Sequence, residues 1–211
     1  EAYPGKTAVV DARRRVTYAE FGQLVDRLAI GLNDLGIRAG ERVTAQLPNR
    51  VEALAVYFAV AEIGAVLCPV VPYYRAAEVR HILDRSESVA MVLPDAFGGF
   101  DYLEMLREIR PGLPALKHVI VVGVNVPRGL VSFQELVGEE TKAGPAAGKP
   151  QVRRDRTAEG AAPKVRLAAP RLDANAPLAL VFTSGTEATP KAPIWTHNTV
   201  HNCRVYNVGL E

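Results

Sequence analysis

The chain has 211 residues, 48% of them hydrophobic and 23% charged, with a formal net charge of +2. That balance belongs to a globular protein with a packed core, and so small a net charge argues against a global nucleic-acid-binding field. No apolar stretch approaches the roughly 20 residues that a membrane helix needs, so no integral membrane segment is expected.

The first six residues, Glu1 to Lys6, lack an initiator Met and the apolar centre of a secretory signal. The chain is therefore expected to begin inside a longer protein. Residues 16–35 predict a helix: Thr17 and Glu20 form a T-x-x-E capping box, and Phe21, Leu24, Val25, Leu28, Leu32 and Leu35 recur at helical spacing. Gly36 then supplies a left-handed stop. A strand follows over residues 42–47. Asn49 and Glu52 repeat the cap pattern before an apolar helix that runs to Ile63 and ends at Gly64.

Residues 65–70 read as a buried strand, with Cys68 inside the apolar run. Cys203 is far away and no C-x-x-C spacing exists, so a reduced buried thiol and a cytoplasmic setting are expected. Tyr73, Tyr74 and Arg75 form a loop corner, where packing is the expected role. A short helix over 78–85, a strand over 89–93, a helix over 101–110 and a strand over 118–122 complete an alternating pattern. Strands and helices alternating across short links predict an α/β fold with a mostly parallel sheet flanked by helices.

Periodicity then stops. Residues 141–171 hold eight Lys/Arg against two acids, a local +6 that leaves the remainder near −4. Residues 1–140 thus read as a first α/β subdomain and 141–176 as a basic, Ala/Pro-rich linker or insertion. Residues 177–211 read as a strand, a loop and the start of a helix.

The strand Leu178 to Phe182 leads into Thr183-Ser184-Gly185-Thr186-Glu187-Ala188-Thr189-Pro190-Lys191. Four hydroxyls, one glycine and one lysine at a strand end suit a polyphosphate: backbone and hydroxyl donors meet its oxygens and the lysine adds charge. A plain Ser/Thr/Gly/Pro turn has the same composition. A Walker A loop fits poorly, because Pro190 stands at its second glycine and Ala192 at its Mg-binding hydroxyl. His197 and His201, with Cys203 nearby, lack the further ligand a metal site needs, and none is expected.

Phe182-Thr183-Ser184-Gly185-Thr186, Pro190-Lys191 and Trp195-Thr196-His197-Asn198 together resemble the phosphate-loop signature of the adenylate-forming superfamily. Thr17-Tyr18-Ala19-Glu20-Phe21, residues 36–43, Pro48-Asn49, Gly64-Ala65-Val66 and residues 72–78 resemble further family elements in the expected order. The resemblance implies the first part of the large N-terminal domain of an acyl-CoA synthetase-like ligase. It also implies ATP, Mg²⁺ and coenzyme A as cofactors, a carboxylic acid as substrate, and two half-reactions through an acyl-adenylate. Thr183, Ser184, Gly185, Thr186, Glu187, Thr189 and Lys191 would form the nucleotide site, with Thr186 and Lys191 catalytic and His197 near the acyl pocket.

Glu187 in place of the family's usual threonine resembles acyl- and alicyclic-acid CoA ligases, while Ala188, Ala192 and Pro193 depart from the loop pattern. The family's adenine, magnesium, ribose and distal-lysine elements follow this loop. The isolated chain is therefore expected to adenylate nothing, and to self-associate through a sheet edge left unpaired. The alternatives are a non-catalytic nucleotide-binding or interaction protein and an amino-acid adenylation module of a peptide synthetase.

Overall fold

The computed structural model describes residues 3–138, 173–183 and 191–201. An antiparallel pair, β1 (Thr7–Val10) and β2 (Arg15–Thr17), leads into α1 (Tyr18–Asp34). The capping box forms as expected: the Thr17 N–H donates to Glu20 Oε2 at 2.8 Å, and the Glu20 N–H donates to Thr17 Oγ1 at 3.3 Å. Leu24, Leu28 and Leu32 are buried along one face, and Gly36 ends the helix at φ +90°, a conformation that costs an L side chain about 1–2 kcal/mol.

The second helix starts by a different device from the one its sequence suggests. Strand β3 (Arg42–Ala45) is shorter than the expected 42–47, and α2 (Val51–Glu62) begins after Arg50, which makes no side-chain cap. Asn49 is exposed, and Glu52 pairs with Arg14 at 2.9 Å instead of reaching back along its own helix. The cap is long-range. Asp11 Oδ2, in the β1–β2 turn, accepts from the Val51 N–H at 3.0 Å, while Oδ1 accepts from the Arg13 and Arg14 N–H groups at 2.8 and 2.9 Å. A carboxylate at a helix N-terminus satisfies an orphaned donor and meets the positive end of the helix dipole.

The Val51 amide, followed by that of Arg13, holds the Asp11 carboxyl below its ordinary value of 3.8. A lowered folded-state pKa means that folding favours the ionised form. That stabilisation is complete above the unfolded-state pKa and is lost as the pH falls through the folded-state value. Asp11→Asn is therefore expected to flatten the decline of stability below about pH 4, read as the urea midpoint against pH. An acid limb of unchanged slope would remove Asp11 from the account.

The remaining elements are β4 (Val66–Pro69), α3 (Ala76–Ser86), β5 (Ala90–Pro94), the small hairpin β6 (Ala96–Phe97) and β7 (Phe100–Asp101), and α4 (Tyr102–Ile109) with a 3₁₀ turn after it. Then come β8 (His118–Val122), β9 (Val131–Ser132), α5 (Phe133–Leu136), β10 (Pro177–Leu180) and β11 (Ile194–Thr196). Helix α3 starts two residues before the expected Glu78, because the Glu78 carboxylate reaches back to accept the Arg75 N–H at 3.1 Å. The main sheet has the order β11-β10-β4-β3-β5-β8-β9, parallel throughout except where β11 pairs antiparallel with β10.

Both faces of the sheet are covered, as the alternating pattern requires. Helices α1, α2 and α5 bury one core that includes Leu28, Val43, Val56 and Phe133. Helices α3 and α4 bury a second that includes Leu83, Met91, Tyr102 and Val119. Cys68 is a buried free thiol whose pKa burial pushes up; Cys203 lies outside the described residues. The basic segment 141–171 also lies outside them. No helix among the described residues is long and apolar enough to cross a membrane.

Candidate functional site

The candidate site lies at the carboxyl end of β10, where open parallel sheets hold their ligands. Strand β10 is an apolar run seated between β4 and β11, with Ala179 opposite Leu67 on one side and Trp195 on the other. Beyond the ladder the two chains stay together: the Val181 N–H donates to the Pro193 carbonyl at 3.3 Å. Thr183 and Lys191 then close the loop reciprocally. The Thr183 N–H donates to the Lys191 carbonyl at 2.9 Å, and the Lys191 N–H donates to Thr183 Oγ1 at 3.3 Å.

Thr183 and Lys191, eight positions apart in sequence, thus form the base of a loop, and both are exposed. Of the residues expected in the nucleotide site, these two are described. Ser184, Gly185, Thr186, Glu187 and Thr189 lie outside the described residues. A hydroxyl and an ammonium at one loop base suit an anion with several oxygens. Among the described residues no group of three His, Cys, Asp or Glu side chains is arranged for a metal ion.

After the loop, Ile194-Trp195-Thr196 forms β11, a second strand where the sequence pattern predicts only loop between β10 and the final helix. Its β-branched and aromatic composition is the available signal, but three residues are too few to show an alternation. Helical backbone begins at His197, which is half-buried. Asn198 and Thr199 are good N-cap types, yet the cap here is Thr196, whose Oγ1 accepts the Thr199 N–H at 3.1 Å. The Asn198 N–H donates to the Ala174 carbonyl at 2.9 Å, and its amide Nδ2 donates to Asn175 Oδ1 at 2.9 Å. These two bonds tie the segment of His197 to the turn that precedes β10.

The neighbouring carboxyl edge is tightly held. Gln46, fully buried after β3, donates from Nε2 to the carbonyls of Val71 and Tyr74 at 3.2 and 3.0 Å. The Tyr102 hydroxyl donates to the Pro72 carbonyl at 2.7 Å. Of the loop-corner residues expected to pack, Tyr74 does so against the core under α3 and α4, whereas Arg75 is exposed and forms a cation–π contact, its guanidinium 3.9 Å from the centre of the Phe100 ring. Tyr73 is 71% exposed on this fixed loop.

A family model described as AMP-binding enzyme matches residues 1–209. The salicyl-AMP ligase / salicyl-S-ArCP synthetase of Mycobacterium tuberculosis is 33% identical over 201 residues, covering 93% of this chain and 31% of that protein. The 2-hydroxy-7-methoxy-5-methyl-1-naphthoate–CoA ligase of Streptomyces carzinostaticus is 31% identical over 195 residues, covering 92% and 32%. Among solved structures, the anthranilate CoA ligase AuaEII in complex with anthranoyl-AMP matches with a TM-score of 0.75 at 21% identity. That likeness, over 93% of this chain and 32% of the other, is one of fold. The chain spans about a third of the length of these proteins.

Proposed function

Since the chain belongs to the AMP-binding enzyme family, we propose that it forms the amino-terminal part of an ATP-dependent carboxylate–CoA ligase. In the first half-reaction a carboxylate oxygen attacks the α-phosphorus of ATP and the bond to pyrophosphate breaks, giving an acyl-adenylate. In the second, the thiolate of coenzyme A attacks the acyl carbon and AMP leaves. Negative charge builds on the departing pyrophosphate, so fixed donors and a cation beside it supply much of the acceleration.

The observation that carries this reading is the closure of a hydroxyl-rich loop at the carboxyl end of β10 by Thr183 and Lys191. In this assignment Thr183, Ser184, Gly185 and Thr186 cradle the β- and γ-phosphates with Thr189 in the same loop. Lys191 supplies charge, Glu187 borders the loop on its solvent side, and His197 lies toward the acyl pocket. Mg²⁺ would accompany the phosphates, and the setting proposed is cytoplasmic.

Acid-dependent exchange of labelled pyrophosphate into ATP tests the reading on the full-length protein that carries this chain. Exchange is expected with one or more acids of a panel spanning aromatic and aliphatic carboxylates, and its absence across the panel would sink the proposal. The 211 residues by themselves are expected to give none, and turnover above a Lys191→Ala control would overturn that expectation.

A second reading concerns the thiol. The M. tuberculosis relative is by name a salicyl-S-ArCP synthetase, a name that puts the acyl group on ArCP. In the same assay, coenzyme A consumption supports the first reading, whereas acyl transfer to a thiol-bearing carrier protein supports the second.

A further inference from the structure

We propose that His81 is a positioning residue for the phosphate loop: its ring fixes Phe182, and through Phe182 the backbone of Thr183. The inference rests on the phosphate-binding reading of the β10–β11 hairpin. Between β10 and β4 the ladder has a single register pair, Ala179 with Leu67. Past that point the hairpin's backbone bonds are internal, Val181 with Pro193 and Thr183 with Lys191. Internal bonds hold the two arms together but do not hold the tip against the rest of the fold. Among the described residues, that attachment falls to the side chain immediately before the loop.

Phe182 is half-buried and packs against the core under α3 and α4. Its ring meets that of His81 edge-on, with centroids 6.4 Å apart and an interplanar angle of 84°, the arrangement that aromatic quadrupoles favour. His81 is itself well placed to act as a wall. Helix α3 is tied at its start by the Arg75–Glu78 bond, and the loop before it by Gln46 and Tyr102. His81 Nε2 is buried and has no hydrogen-bond partner among the described residues. The edge-on contact uses the ring's shape and not its nitrogens, and a phenyl ring should replace it.

Amide hydrogen exchange by mass spectrometry on the full-length protein that carries this chain, paired with MgATP titration, tests this. His81→Ala is expected to speed exchange of the Thr183 and Lys191 amides by about three- to tenfold and to weaken MgATP binding by a similar factor. Amides of the central strands, Gln46 among them, should stay unchanged. His81→Phe is expected to restore both readouts. Arg80→Ala, a control on the same helix, should alter neither.

Loop-base amides within twofold of wild type in His81→Ala would overturn the inference. So would a loss shared by the whole sheet, or a His81→Phe variant that behaves like His81→Ala. A wild-type full-length protein that binds no MgATP would instead bring down the phosphate-binding reading itself, and with it a positioning role toward phosphate, even where the exchange pattern holds.

Discussion

Replacing Lys191 by alanine is expected to weaken MgATP binding by about 10–100-fold, the equivalent of one charge-assisted hydrogen bond of roughly 1.5–3 kcal/mol. The substitution isolates charge from geometry, because loop closure uses the main chain of residue 191. Its N–H donates to Thr183 Oγ1 and its carbonyl accepts from the Thr183 N–H, and neither bond needs the lysine side chain. Lys191 is exposed, so salt should screen its contribution: the difference between wild type and variant should shrink as ionic strength rises. Lys191→Arg should keep most of the affinity. Equal affinity of wild type and Lys191→Ala at low salt would withdraw the ammonium from the phosphate site.

Gly123→Ala is expected to destabilise the chain by about 1–3 kcal/mol, an overpacking cost. A Cβ at Gly123 would lie 2.2 Å from Asp95 Cγ. Asp95 is not free to swing aside, since its carboxylate accepts from the Ala96 N–H at 2.8 Å and from the Val124 and Asn125 N–H groups at 3.1 Å each. These bonds join the chain leaving β5 to the chain leaving β8 at the carboxyl edge of the sheet. Displacing the carboxylate would leave those donors to find water. The check is a double-mutant cycle in urea denaturation: in an Asp95→Ala background the same Gly123→Ala change should cost little, giving a clear coupling energy. Additive effects would show that the two residues do not share one structural role.

Features written within four residues of one another are legible in the sequence. The Thr17–Glu20 box and the Gly36 stop work through local backbone groups, and both form as expected. Strands β4 and β5 are apolar runs, β8 is one after His118, and β3 is a short Arg42-Val43-Thr44-Ala45 strand; their alternation with helices is enough to predict a parallel sheet with both faces covered. Two- and three-residue strands such as β6, β7, β9 and β11 are too short to carry a period, so no sequence pattern marks them. In the candidate site, the composition of residues 183–191 suits an anion loop and a plain turn alike, and nothing in it says which of its residues face each other.

The sequence by itself settled the α/β class, the order of the main elements, the start and stop of α1, and membership of the AMP-binding enzyme family. Each rests on interactions between near neighbours or on motifs in linear order. Tertiary structure alone decided that Asp11, forty positions away, would cap α2 in place of Asn49. It also decided that Thr183 and Lys191 would close one loop, and that His81 would stand behind Phe182. Contacts of this second kind cost loop-closure entropy and exist only after the sheet has chosen its strand order, so no local pattern announces them.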